Sequence, residues 1–213
     1  MLNIERHVFN PFGENTYLIW DDVSGEGAVI DPGCSNVREF GILADAIERH
    51  KVKVKYLLNT HEHIDHIVGN SFIKDKYETE YLCHSDDLFL LDEINNSPAA
   101  FGMEDTGKIF PDRLITEQTI LDIGELKLEF IHTPGHSPGS VCIYIREYNT
   151  CFTGDLLFRG SVGRTDLWRG DSDILFRSIQ EKILCLPDDT AIYPGHGQSS
   201  SIGEEKHLNP FLT

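Results

Sequence analysis

Three histidines fall within six positions of this chain, in His61-Glu62-His63-Ile64-Asp65-His66, although histidine supplies only 10 of its 213 residues. The run follows Val54 to Asn59, a short stretch rich in β-branched and apolar residues that reads as a strand. On an extended segment leaving a strand, residues at i and i+2 point the same way. His61 and His63 can therefore turn two imidazoles toward one point. Asp65 and His66 follow at the start of a helix and face a neighbouring point. Neutral imidazole and carboxylate suit zinc, manganese or iron. Such ligands work when a rigid sheet holds their loops, so the run favours a fold built on strands.

Three later residues have matching settings. His136 lies in Thr133-Pro134-Gly135-His136-Ser137-Pro138-Gly139, a tight turn after the apolar stretch 126–132. Asp155 leaves the stretch 150–154 in Phe152-Thr153-Gly154-Asp155, and His196 follows 190–193 in Tyr193-Pro194-Gly195-His196-Gly197. Each is a polar residue at the end of a strand-like stretch, in a glycine-containing turn that lets the backbone approach closely. One turn histidine is ordinary surface decoration. The set in this order is a metal-ligand pattern.

The remaining pattern places these loops in an α/β frame. Residues 2–9, 15–20 and 27–31 read as strands separated by Gly, Asn and Asp turns. Val37 to Lys51 reads as an amphipathic helix, with Phe40, Leu43, Ala44 and Ile47 at helical spacing and Ser35 or Asn36 as its cap. A helix is expected after His66 to about Tyr77, a strand at 81–83 and a short helix at 86–91. Residues 93–115 carry Asn95-Asn96-Ser97-Pro98, Gly102, Gly107 and Pro111. They are expected as a long loop, which in a compact domain is often functional. Strands follow at 119–123, 126–132, 140–146 and 150–154, then a helix at 172–184 and a strand at 190–193. Strands and helices alternating in each half predict a layered α/β sandwich. A length of 213 residues fits one domain spanning 1–213.

Composition removes several classes of function. The formal net charge is −17. So acidic a chain is ill suited to nucleic acid or anionic membrane, because neutralising phosphates needs clustered Lys and Arg. No apolar run approaches the roughly 20 residues of a membrane span. The opening Met1-Leu2-Asn3-Ile4-Glu5-Arg6 lacks a basic region followed by an apolar stretch, so no secretory leader is expected. Five cysteines (Cys34, Cys83, Cys142, Cys151 and Cys185) make an odd number without a Cys-x-x-Cys pair. That fits reduced thiols in a cytoplasm.

HEHIDH (61–66), TPGHSPGS (133–140), FTGD (152–155) and YPGHG (193–197) resemble, in order, the motifs of the metallo-β-lactamase superfamily. Within it the chain looks most like glyoxalase II (hydroxyacylglutathione hydrolase) of the short bacterial type, through LFRGSVGRTDLWRGD (157–171) and EEKHLNPFL (204–212). The resemblance implies an αββα sandwich, with two mixed sheets flanked by helices and the metals at one edge. It implies two divalent metal ions, zinc first, with iron or manganese as alternatives. His61, His63 and His136 would hold one ion and Asp65, His66 and His196 the other, with Asp155 bridging them. A hydroxide between two metals would then attack an acyl thioester, a hydroxyacylglutathione-like small molecule. The leaving thiolate has a thiol pKa of about 8–9. Asp155 and Asp65 would be the catalytic carboxylates, Asp65 orienting the hydroxide. Asp31, in Val29-Ile30-Asp31-Pro32-Gly33, is a candidate acceptor for a ligand histidine; an Asp before Pro is equally a turn-former.

The substrate side carries fewer signals. Longer glyoxalase II enzymes grip glutathione with a C-terminal helical domain, whereas 17 residues follow His196 here (213 − 196 = 17). No such domain is expected within this sequence. Arg159, Arg164 and Lys206 are the cations close to the motifs and candidates for a substrate carboxylate. The chain also resembles persulfide dioxygenases, which use one iron and carry a similar LxxRGxxGRTD segment. The intact Pro194-Gly195-His196-Gly197 favours two metals and hydrolysis. A binding protein with a vestigial site is the non-catalytic alternative, and the full ligand set argues against it.

Overall fold

Strand alternation sorts the side chains of this chain into layers. In the computed structural model, which describes residues 1–93, 99, 102–104, 107 and 109–212, the first sheet contains β1 (Leu2–Phe9), β2 (Glu14–Asp21), β3 (Glu26–Ile30), β4 (Lys53–Leu58), β5 (Glu80–His84) and β6 (Arg113–Ile115). β1, β2 and β3 pair antiparallel, and β3 through β6 run parallel. The second sheet has the order β14-β13-β10-β9-β8-β7, from β7 (Ile120–Ile123), β8 (Leu126–His132), β9 (Val141–Ile145), β10 (Thr150–Gly154), β13 (Ala191–Pro194) and β14 (Ser200–Ser201). It too is mixed, with β10 and β13 parallel and the rest antiparallel.

Tyr17, Ile19, Ile30, Leu58 and Leu82 of the first sheet bury against Leu128, Phe130, Ile143, Ile145 and Phe152 of the second. Their chain neighbours point outward, as a period of two requires. Leu18, Val29, Leu57 and Tyr81 pack under Leu43, Ala46 and Ile47 of α1 (Val37–His50) and Ile73 of α3 (Asn70–Tyr77), with Leu88 of α4 (Leu88–Glu93) against the same cluster. On the other side Cys142, Tyr144, Cys151 and Ile192 meet Leu175 of α5 (Ser172–Ser178) and Ile202 of α6 (Ile202–Leu208). The result is the αββα sandwich with two mixed sheets. Each such buried Leu, Ile or Phe stabilises by about 1.5–3 kcal/mol. Phe152 sits between Tyr17 and Tyr193, with ring centroids 5.1 and 5.3 Å away.

Local signals explain most element ends. Asn36 caps α1 by accepting from Glu39 N (3.1 Å), while Glu39 Oε2 accepts from Ser35 N (2.7 Å). Two expectations change. The helix after His66 is two pieces, α2 (Ile64–Ile67) and α3, parted where Gly69 N–H turns aside to Pro32 O (2.8 Å). The stretch 93–115 is not all loop. Its end is β6, paired with β5 through Leu114 and Cys83, and residues 94–98, 100, 101, 105, 106 and 108 of that expected loop lie outside the described residues. The helix at 172–184 holds, with its second half, Ile179–Ile183, widened to a π-helix. The small hairpin β11 (Leu157–Phe158) and β12 (Ser161–Val162), and β14 with α6, are additions. Among the described residues no helix is long and apolar enough to cross a membrane.

Candidate metal centre

Topology brings the motif loops to one edge. β8 and β10 are both antiparallel to β9, so they share a direction, and β13 is parallel to β10. The loops after β8, β10 and β13, carrying His136, Asp155 and His196, therefore leave the second sheet on the same side. The loops after β3 and β4, carrying Asp31 and His61 to His66, come from parallel strands of the first sheet. Val141 N–H donates to Thr60 O (2.8 Å) and Tyr17 Oη–H to Pro194 O (2.7 Å), which stitches the two sheets together there.

Ring protons in the first group are fixed by acceptor-only neighbours. The carbonyl of Arg164 lies 2.7 Å from His136 Nδ1, so that nitrogen donates and Nε2 keeps its lone pair. Thr60 Oγ1–H donates to Asp31 Oδ2 (2.6 Å) and accepts from His61 Nδ1 (3.1 Å), which leaves Nε2 of His61 bare. His63 Nδ1 lies 2.8 Å from that lone pair of His136. The ligand atoms of His61, His63 and His136 all fall within 4.8 Å of one another. Burial, reinforced by the neighbouring histidines, holds His61 well below the ordinary imidazole range and pushes His63 down to about 3. These rings are neutral, as metal ligation requires.

The second group is charged. The ligand atoms of Asp65, His66 and His196 also lie within 4.8 Å of one another. His196 Nε2 is 3.3 Å from Asp65 Oδ2, and His66 Nε2 is 3.7 Å from it. Burial opposes charging of His66, but Asp65, Asp155 and Asp31 outweigh it and raise His66 well above its usual range. His196 is raised too, against burial, by Asp65 and Asp155. Burial would raise Asp65, yet His66 and His196 hold its carboxyl below the usual range. Asp155 stands between the groups, with Oδ1 3.5 Å from His66 Nε2 and Oδ2 3.6 Å from both His136 Nε2 and His196 Nε2. A Cβ on Gly195 would sit 2.3 Å from Asp155 Oδ1 and 2.6 Å from His66 Cε1, so only glycine admits this approach.

Buried polar atoms without a partner are costly, about 1–3 kcal/mol each. His61 Nε2, His66 Nε2 and Asp155 Oδ1 are buried with no hydrogen-bond partner. Two ring nitrogens and one carboxylate oxygen left without partners on facing side chains fit a bound cation, which at His66 would take the place of a proton. The donor set, all imidazole nitrogen and carboxylate oxygen, suits a divalent metal.

The seven residues singled out from sequence thus come together. Asp31 joins them, its Oδ2 lying 3.1 Å from His66 Nδ1 and its Oδ1 accepting from Thr60 N (2.7 Å). Asp31 has a left-handed backbone (φ 49°), a conformation that disfavours non-glycine residues by about 1–2 kcal/mol. The three basic residues are elsewhere engaged. Arg164 is exposed and paired bidentately with Asp166 (2.7 and 2.8 Å), and it is its carbonyl that reaches the centre. Arg159 contacts Gln198 Oε1 (3.0 Å) and Glu204 Oε1 (3.1 Å). Lys206 pairs with Asp188 (2.5 Å). Sequence reasoning passed over Thr60, although its place directly before His61 is a signal. It also passed over Asn10, whose Nδ2 donates to Asp65 O (2.8 Å) from a turn far away in sequence.

Comparison with known proteins agrees with this geometry. The family model described as metallo-beta-lactamase superfamily matches residues 9–196. Hydroxyacylglutathione hydrolase GloC of Haemophilus influenzae is 38% identical over 213 residues, covering 99% of this chain and 98% of that protein. The mitochondrial persulfide dioxygenase ETHE1 of Bos taurus is 31% identical, covering 98% of this chain and 75% of that one. Two solved structures at 34% identity superpose closely. The BLEG-1 B3 metallo-beta-lactamase has a TM-score of 0.89, covering 99% of this chain and 100% of its own. TTHA1623 in a di-iron-bound form has a TM-score of 0.85, covering 98% and 100%.

Proposed function

The chain belongs to the metallo-beta-lactamase superfamily, and from that premise we propose that it is a two-metal hydrolase of small acyl thioesters, of the hydroxyacylglutathione kind. The observation that carries the proposal is Asp155, whose Oδ2 lies 3.6 Å from both His136 of one group and His196 of the other, while its Oδ1 lies 3.5 Å from His66 of the second group. A carboxylate placed so can serve two cations at once. His61, His63 and His136 would hold one ion, and Asp65, His66 and His196 the other. Zinc is the first choice, with iron or manganese as alternatives. Such ions supply Lewis acidity, bringing water toward neutral pKa and polarising a carbonyl.

The chain's own residues prepare that chemistry. Asp65 stays ionised, so its oxygens accept a proton-bearing water and orient it. Asp31 and Thr60 hold His61 and His66 in ligating tautomers, and the Arg164 carbonyl does so for His136. His196 is 27% exposed in its side chain, against 2% or less for His66 and His136, and marks the side from which substrate arrives. The glutathione thioester class is supported by the GloC relative. A net charge of −17 argues for a small-molecule substrate over nucleic acid or membrane. Five free cysteines, four of them buried, support a reducing, cytoplasmic setting.

A single-iron persulfide dioxygenase is the second reading, favoured by the ETHE1 relative. His196 beside Asp65 and His66 favours hydrolysis, because it completes a second group of ligand atoms within 4.8 Å of one another. The test is to offer S-lactoylglutathione and other acyl thioesters and follow free thiol. Thiol release with turnover is expected. Metal-loaded protein that releases no thiol but consumes oxygen with glutathione persulfide would sink the hydrolase reading.

A further inference from the structure

The geometry points to Asp87 as a positioning residue that locks the loop of His61 and His63 to the loop of His136. This rests on reading those three histidines as one ligand group. Asp87 ends the single 3₁₀ turn Ser85–Asp87 that follows β5, and it is fully buried. Its Oδ1 accepts from Gly139 N (2.6 Å), and its Oδ2 accepts from Ser137 Oγ–H (2.6 Å) and Glu62 N (3.3 Å). Each donor is a neighbour of a ligand. Glu62 lies between His61 and His63, Ser137 follows His136, and Gly139 closes the same turn.

The turn around His136 is already closed on itself, through Ser137 Oγ to Ser140 Oγ (2.7 Å) and Thr133 N to Ser140 O (2.8 Å). Its shape does not need Asp87; its placement against Glu62 does. The 2.8 Å between His63 Nδ1 and His136 Nε2 is the quantity this clamp sets. Close approach is built in, since a Cβ on Gly139 would sit 2.6 Å from Asp87 Cγ and 2.7 Å from Asp87 N. Asparagine cannot replace the clamp in full. It keeps one acceptor oxygen and turns the other into a donor. The Ser137 hydroxyl can reverse its role, but the Glu62 N–H cannot, and one buried bond is lost.

The test is competition between the chain and a chromophoric chelator for zinc, with Asp87→Asn and Ser137→Ala beside the unaltered protein and the melting temperature of each metal-free form recorded. Asp87→Asn is expected to weaken one of two zinc affinities by about 10–100-fold and to leave the other within about twofold. Ser137→Ala, which deletes one hydroxyl and keeps the carboxylate, should shift the same affinity by less. It keeps the test open if Asp87→Asn fails to fold. Lowered melting temperatures with both affinities unchanged, or equal losses at both, would overturn the role of Asp87. Unaltered protein that fails to hold zinc would instead overturn the reading of the centre itself.

Discussion

His61, His63 and His136 form an all-imidazole group that is buried throughout, whereas Asp65, His66 and His196 mix a carboxylate with two imidazoles and open toward solvent at His196. Burial drives His61 and His63 of the first group neutral. In the second, carboxylates overcome the same burial, raising His66 well above its usual range and shifting His196 upward as well. Without a cation, the first group presents lone pairs and the second presents protons. A cation meets little competition in the first group and must displace protons in the second. Asp155 belongs to both, so it is where the two behaviours are coupled.

Removing the shared carboxylate tests that coupling most severely. Asp155→Ala is expected to lower kcat/KM by more than the roughly 10–100-fold typical of losing a residue that merely orients a ligand, with metal lost from both groups. Full metal content in this variant would show that the groups are independent. Thr60→Val comes next. It keeps the shape but breaks the relay from Asp31 to His61, freeing the ring to turn. A loss of about 10–100-fold in metal affinity or activity is expected. An unaltered variant would mean that packing alone fixes the tautomer.

Acidity separates the groups more gently. His63 has a folded-state pKa pushed down to about 3, so in metal-free protein its protonation favours unfolding as pH falls from about 6.5 toward 3. His66 has a raised pKa, so its stabilisation is complete below about pH 6.5 and fades as pH rises through the elevated value. Urea midpoints of the metal-free chain should therefore fall on acidification once the His63 contribution dominates. Zinc affinity of the second group should rise with pH by up to about tenfold per unit for each proton displaced, and more steeply than that of the first. Equal slopes would erase the contrast. The smallest effect is expected from Arg164→Ala. Its side chain is exposed and paired with Asp166 while its carbonyl does the orienting. A change within about 0.5 kcal/mol, or roughly twofold in kcat/KM, fits a surface substitution. A KM increase much larger than that, with kcat unchanged, would make the guanidinium a substrate contact.

The same contrast explains what could be read from the sequence. Both ligand groups were legible because each member sits in a turn that follows a strongly patterned strand. Alternation within β8 and the short apolar or β-branched runs of β2, β9 and β10, bounded by turn residues, likewise made the sheets legible. The groups' opposite charge states were not. They depend on which neighbours burial brings close, such as Asp31 against His66, 35 positions apart. The Arg164 contribution was hidden because a backbone carbonyl has no residue signature, whereas its guanidinium does. β6 was hidden for a related reason. Three residues are too few to show a period, and their strand character comes from lying beside β5.

The central claim, two cation sites sharing Asp155, is tested most directly by counting metal. Elemental analysis of the purified chain is expected to give close to two metal ions per molecule, falling to about one in His196→Ala. One ion per molecule in the unaltered chain, unchanged when His196 is removed, would contradict it.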